Sequence, residues 1–192
     1  MRETVDDTED TSLSDSEIAA IVLGVHEQRV AQAKAAIPKL SDPAIKSFAQ
    51  HLASDHAATQ EELSLLFETI GITPEDSNAA MELRQASNDV SELLESSPQA
   101  SADADYIDGQ IAMYTFVIHT IDKRLTPVAR HPELVRALTN TRAQFAQHLE
   151  EAEKLQMMLT ERKRSASVEE GVMQSTTAKL ARPHGACEGP AC

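Results

Sequence analysis

His26, His56, Tyr114 and His148 each stand near the midpoint of a long amphipathic stretch and on its apolar face, and Asp55 directly precedes His56. An imidazole in a core needs a partner, so residues of this type at this spacing either hydrogen-bond to one another or coordinate an ion. Brought to one level, three imidazoles and a phenol would form a polar layer across the inside of a helical protein. Imidazole nitrogens suit zinc, copper or iron, and a nearby carboxylate would fix the tautomer of a ligating ring. The candidate metal ligands are therefore His26, His56, His148, Tyr114 and Asp55. The bland alternative is a layer that satisfies itself, with Asp55, Glu27 or Arg29 in reach, and serves only packing register. His51, His119 and His131 fall off the seams or at a helix cap and read as surface residues.

Other chemistries find little support. A di-iron carboxylate oxidase needs Glu-x-x-His on two helices and a further Glu on each of the other two. Here Ala53 stands three residues before His56 and Phe145 three before His148, so the bridging carboxylates are missing. No nucleophile paired with a base, no phosphate-cradling glycine loop and no Cys-x-x-Cys is found, which favours a binding or structural protein over an enzyme. The pentapeptide Phe-Ala-Gln-His-Leu occurs at Phe48 to Leu52 and again at Phe145 to Leu149, with its histidine off the seam in the first copy and on it in the second. It reads as coincidence. His184, Cys187 and Cys192 make a His-x2-Cys-x4-Cys pattern of the kind that holds a soft metal or closes a small disulfide ring, but in a Gly- and Pro-containing terminus it reads first as part of a disordered tail.

The elements that must position the layer are helices. Helix 1 starts at the capping box of Ser14 and Glu17, with Leu13 stapling onto Ile18, and stops before Pro38. Asp42-Pro43 opens helix 2, which ends at Gly71. Thr73-Pro74 opens helix 3, whose apolar positions Leu83, Ala86, Val90, Leu93 and Leu94 run until Pro98. Helix 4 begins near Ser101 and stops before Thr126-Pro127, and helix 5 runs from His131-Pro132 to about Lys163. The seams alternate three and four residues, as in Ala49, Leu52, His56, Thr59, Leu63, Leu66 and Ile70 of helix 2. Helix 4 offers Ile107, Ile111, Tyr114, Ile118, Ile121 and Leu125, and helix 5 offers Leu134, Leu138, Thr141, Phe145, His148, Ala152, Leu155 and Leu159. Helix 1 is less clean, with Ala19, Leu23, His26, Val30, Ala33 and Ile37 sharing the face with Ile18, Val22 and Val25. Gly24 and Gly109 interrupt helices 1 and 4 and read as positions of close helix packing.

Four such helices with short connections predict an all-α, antiparallel four-helix bundle over 14–163, with helix 3 as a short extra element in the long connection. Residues 1–13 read as a disordered acidic leader and 164–192 as a flexible tail. At roughly 1.5 Å per residue, His26 about eleven residues before Ile37 and His56 about thirteen after Pro43 differ in height by only about 3 Å, whereas Tyr114 and His148 differ by about 7 Å.

Composition agrees. There are 17 Lys and Arg against 31 Asp and Glu, a net charge of −14, which argues against nucleic acid or an anionic membrane as partner and leaves a protein partner or a second copy of the chain. Hydrophobic residues make up 41%, enough for a core, and aromatics only 3%, too few for a sheet-rich fold. No stretch of about 18 apolar residues occurs, and MRETVDDTEDTS lacks the apolar run of a secretory signal, so no export signal or anchor is read from the chain.

Asp42-Pro43, Phe48-Ala49, Asp55-His56, Gly71-Ile72-Thr73-Pro74, Asp105-Tyr106-Ile107, Pro132-Glu133-Leu134 and His148-Leu149 together resemble a widespread bacterial family. It is a ferritin-like domain of unknown function whose members are often labelled outer membrane or exported proteins. The resemblance covers about Ser14 to Leu159 and implies a ferritin-like bundle and a location in the periplasm or cell envelope. It also implies polar positions at Asp55, His56, Tyr106 and His148. This chain departs from the family pattern in carrying Tyr114 where a histidine is usual and in showing no export signal.

Overall fold

The computed structural model describes residues 13–180, with side chains throughout that span except at positions 86, 90, 93–95 and 169–180. His184, Cys187 and Cys192 lie outside the described residues, as do the side chains of Ala86, Val90, Leu93 and Leu94. All regular structure among the described residues is helical: α1 (Asp15–Ala36), α2 (Pro43–Ile70), α3 (Asn78–Ser96), α4 (Ala102–Thr120) continued by a π-helical turn (Ile121–Leu125), and α5 (Pro132–Leu180).

The boundaries follow local chemistry. Ser14 Oγ accepts from the Glu17 amide at 3.2 Å while the Glu17 carboxylate accepts from the Ser14 amide at 2.8 Å, satisfying two of the donors that a helix start leaves free. Asp42 caps α2 by accepting from the Ala44 amide at 2.8 Å, with Pro43 in the first turn. Gly71 ends α2 at φ 73°, the left-handed conformation that a residue without Cβ adopts at least cost. Helix α3 begins later than Thr73-Pro74 suggests. Residues 72–77 are not helical; Glu75 donates its amide to the Ser16 carbonyl at 3.1 Å, and Ser77 Oγ accepts from the Ala80 amide at 3.1 Å. Ser77 is thus the cap, and Pro74 lies in the non-helical strap before it. The sequence pattern ends helix 5 at about Lys163 and takes the chain as loose from Ser165, but α5 continues to Leu180. No proline interrupts that stretch, and most of its residues sustain a helix even where no apolar seam does.

Two compact units divide the chain, Met1–Gln156 and Met157–Cys192. In the second, Glu161 pairs with Arg164 at 2.8 Å and Met157, Met158 and Val168 are exposed. Everything that concerns the site lies in the first.

Within it, the seam of α5 is buried as read, from Leu134 through Leu138, Thr141, Phe145, His148, Ala152 and Leu155. The other faces are broader. On α2, Ile45, Phe48 and Phe67 join Leu52, His56 and Leu63 in the core, while Leu66 and Ile70 are half-buried. On α4, Tyr106, Gln110, Met113 and Val117 are buried while Ile111 and Ile118 are half-buried, so the inward face is turned from the expected seam. On α1, Arg29 and Gln32 are buried and Leu23 and Val30 only partly so, because α3 packs on α1 as well as α2 does.

Two carboxylates fasten the connections. Asp15, in the first turn of α1, accepts from the amides of Arg130 and His131 at 2.8 and 2.9 Å. Asp103, in the first turn of α4, accepts from those of Ser41 and Asp42 at 2.9 and 3.1 Å. Each connection between paired helices is therefore held by an acid at the start of a helix from the other pair, where the helix dipole also favours a negative charge.

Gly24 is not a close-approach position: a Cβ built on it meets nothing within 4 Å, and its φ is not positive. Its place inside α1 thus costs conformational freedom with no packing in return. Gly24→Ala is expected to raise unfolding stability by up to about 1 kcal/mol, read by denaturant titration.

Candidate functional site

Four helices each supply one ring to the layer, and the rings meet. His26 and His56 approach through their Nδ1 atoms at 2.9 Å, and His56 Nε2 lies 3.2 Å from the Tyr114 hydroxyl. His56 stands against His148 with ring centres 5.0 Å apart, and Tyr114 against His148 at 5.7 Å, so packing closes the height mismatch of the second pair. The Phe145 ring fills the space between them, 5.2 to 5.4 Å from His26, His56 and Tyr114. All four polar rings are buried: His26, His56 and Tyr114 at 0% exposure and His148 at 3%.

The proton positions follow from counting donors. If the Tyr114 hydroxyl donates to His56 Nε2, the His56 proton sits on Nδ1 and donates to His26 Nδ1, which leaves the His26 proton on Nε2, an atom without a partner. The reverse order strands both the tyrosine proton and the His26 Nε2 lone pair, so the first arrangement leaves fewer groups unsatisfied. In it, His26, His56 and Tyr114 spend on one another the lone pairs that a metal would need. Tyr106, which the family resemblance adds, is also buried, and its hydroxyl has no partner. Glu27 is exposed and Arg29 turns to other partners, so the carboxylate that joins the layer is Asp55.

His148 connects the layer to solvent. Its Nε2 lies 3.3 Å from Asp55 Oδ2, and Asp55 is about one-third exposed. The same Oδ2 lies 3.3 Å from Nε2 of His51, which is exposed. Ligand atoms of His51, Asp55 and His148 all fall within 4.8 Å of one another. Nitrogen and oxygen donors about 2.0–2.1 Å from a tetrahedral ion lie roughly 3.3 Å apart, which the two histidine–aspartate separations match. The five candidate ligands thus divide: His26, His56 and Tyr114 close on themselves, while Asp55 and His148 face a third donor that the seams excluded. His51 is a surface residue, as its position off the seam implies, but it is also part of the cluster. Two signals pointed to it: its spacing of four before Asp55 on one helix, and the repeated Phe-Ala-Gln-His-Leu, whose two histidines are the pair that meets at Asp55 with rings 6.0 Å apart.

Burial decides the charge states. It pushes His26 down from its ordinary 6.5 to about 4, with the charge of His148 adding to the effect. His56 is held well below its ordinary value by burial first, then by His26, His148, Arg29 and His51. His148 is also lowered by burial, against the opposing hydrogen bond and charge of Asp55. Burial raises Tyr114, with the charge of Arg29 opposing. At neutral pH the layer is therefore uncharged, with imidazoles in the form that ligates metals.

The fold and site define a class: an all-helical protein with a buried histidine–tyrosine layer that opens to solvent through a histidine–aspartate cluster. Within that class the sequence matches the domain of unknown function DUF4142 over residues 1–155, and the chain belongs to that family. No curated protein and no solved structure matches it. Among the described residues no helix is long and apolar enough to cross a membrane.

The unfolded chain takes up protons at its histidines near pH 6.5, whereas the folded layer resists them, His26 down to about 4. Protonation therefore favours unfolding. In chelator-treated protein, stability is expected to be level above pH 7 and to fall between about 6.5 and 4, by up to about 1.4 kcal/mol per pH unit for each such imidazole. Denaturant midpoints across that range check it, and His26→Phe should make the profile shallower.

Proposed function

We propose that this protein is a ferritin-like helical bundle that binds a divalent transition metal, zinc, copper or iron, through His51, Asp55 and His148. The observation that carries the reading is the convergence of two imidazoles on one carboxylate at the solvent edge of a buried polar layer. Two nitrogens and an oxygen make a borderline donor set suited to these ions, with positions left open for water or a further ligand. Asp55 and His51 are reachable from solvent, so an ion has an entry path. The inner trio acts behind them: His56 and Tyr114 pack against His148 and set the ring orientation on which a ligand depends. To ligate through Nε2, His148 must carry its proton on Nδ1 or lose it, so binding releases or moves protons and strengthens as pH rises.

Each of α1, α2, α4 and α5 supplies a ring to one layer, which supports the bundle arrangement over 14–163. The family resemblance supports a place in the periplasm or cell envelope. Fractionation of cells producing the full-length natural protein tests the location.

A second reading makes the layer a register device with no ligand, favoured by the closed hydrogen bonding of His26, His56 and Tyr114. Calorimetric titration with zinc and with copper(II) separates the two. Metal binding predicts one ion per chain and, for His51→Ala, Asp55→Ala or His148→Ala, affinity reduced by about tenfold to a hundredfold or more. His51→Ala is the informative variant, since removing an exposed ring leaves the core intact. No saturable heat with either ion, and no change of melting temperature on adding it, leaves the register reading standing.

A further inference from the structure

Toward the start of α5, the facing side chains of α2 and α5 do not close on one another. At the histidine layer the gap between these helices is filled by the rings of His56, Phe145 and His148. Beyond it stand the smaller Thr59, Ala137 and Thr141, and a cavity of about 320 Å³ opens to solvent, at the small end of the roughly 300–1,000 Å³ that ligand sites occupy. The cavity accounts for the half-burial of Leu66, a seam position, which lines it together with Leu63 and Ala137.

The polar lining is ordered along the groove. Contacts of Asp55 with His148 and of Thr59 with Gln144 make α2 and α5 antiparallel and fix their register. Thr59 and Gln144, hydrogen-bonded to each other at 3.0 Å, close the end nearest the layer. Next comes Glu62, an exposed carboxylate with no partner among the described residues. By the same register Arg136 stands about five residues further on, roughly 7 Å along the axis. It pairs with Glu133 at 3.2 Å, in an exposed geometry that contributes little and is readily given up. Asn140 lies between the two charges, and its amide has no partner among the described residues.

These features select a ligand. Two extended residues span about 7 Å, which matches the separation of carboxylate and guanidinium, whereas a single amino acid carries its ammonium and carboxylate on one carbon. An amide side chain offers both a donor and an acceptor to a peptide bond, and the aliphatic lining suits aliphatic side chains. A peptide with both ends free has no net charge, so the acidic chain does not repel it. Among the described residues no aromatic ring lines the cavity, which disfavours a planar base.

We propose that this cavity binds an aliphatic dipeptide with free ends, its ammonium at Glu62, its peptide bond at Asn140 and its carboxylate at Arg136. The site does not depend on the metal reading. In NMR titration of the isotope-labelled, chelator-treated full chain with alanylleucine, the amide signals of Leu63, Leu66, Ala137 and Asn140 are expected to move and saturate. Acetylating the ammonium, amidating the carboxylate, Glu62→Gln and Arg136→Gln are each expected to weaken binding by about tenfold, the effect of one charged hydrogen bond. Both residues are exposed, so the variants keep the fold. Leucine binding as tightly as the dipeptide, equal affinity for free and blocked ends, or no saturable movement of those amides overturns the proposal.

Discussion

Two imidazoles with no access to water share one hydrogen bond, and that bond between His26 and His56 is the constraint on which the rest of the site depends. Its length of 2.9 Å leaves little freedom for α1 to slide or turn against α2, because a shift of one residue would separate the rings and strand both. With that pair placed, Tyr114 has a partner for its hydroxyl, Phe145 has a ring-lined gap to fill, and His148 is pressed toward Asp55. The polar layer thus carries orientation from the centre of the core out to the solvent edge, through contacts that are each short-range.

The acidic exterior and the uncharged layer complement each other. A net charge of −14 concentrates cations and repels anions near the surface, a field that would favour a metal ion at the proposed site around Asp55. Arg29 lowers the proton affinity of His56 across the core. Neutralising that guanidinium would therefore be felt at the layer without any movement of the helices.

Much of the fold was legible because its determinants are local. Ser14 and Glu17, Asp42-Pro43 and Gly71 mark helix ends through bonds within a few residues, and the α5 seam follows the three-four period because that helix presents one narrow face to the core. The period misled where a helix is covered on two sides. Arg29 and Gln32 are polar by type, and only the packing of α3 on α1 makes them interior. Thr73-Pro74 looked like a helix start, but the strap it belongs to is held by the carbonyl of Ser16, a partner some sixty residues distant that no local pattern can announce. The candidate site was half legible for the same reason. Seam position identifies buried rings, so it found His26, His56, Tyr114 and His148, but it discards His51, whose importance lies in being outside the seam and one helical turn from Asp55.

The fastenings at Asp15 and Asp103 carry a consequence for motion. Each joins segments far apart in sequence through a carboxylate at the surface, while the apolar packing lies between them, so the two helical pairs are clasped at their ends and pressed together in the middle. Thermal opening is then most easily pictured as an unclasping, in which amides 41, 42, 130 and 131 exchange their hydrogens with solvent before the amides beside His56 do.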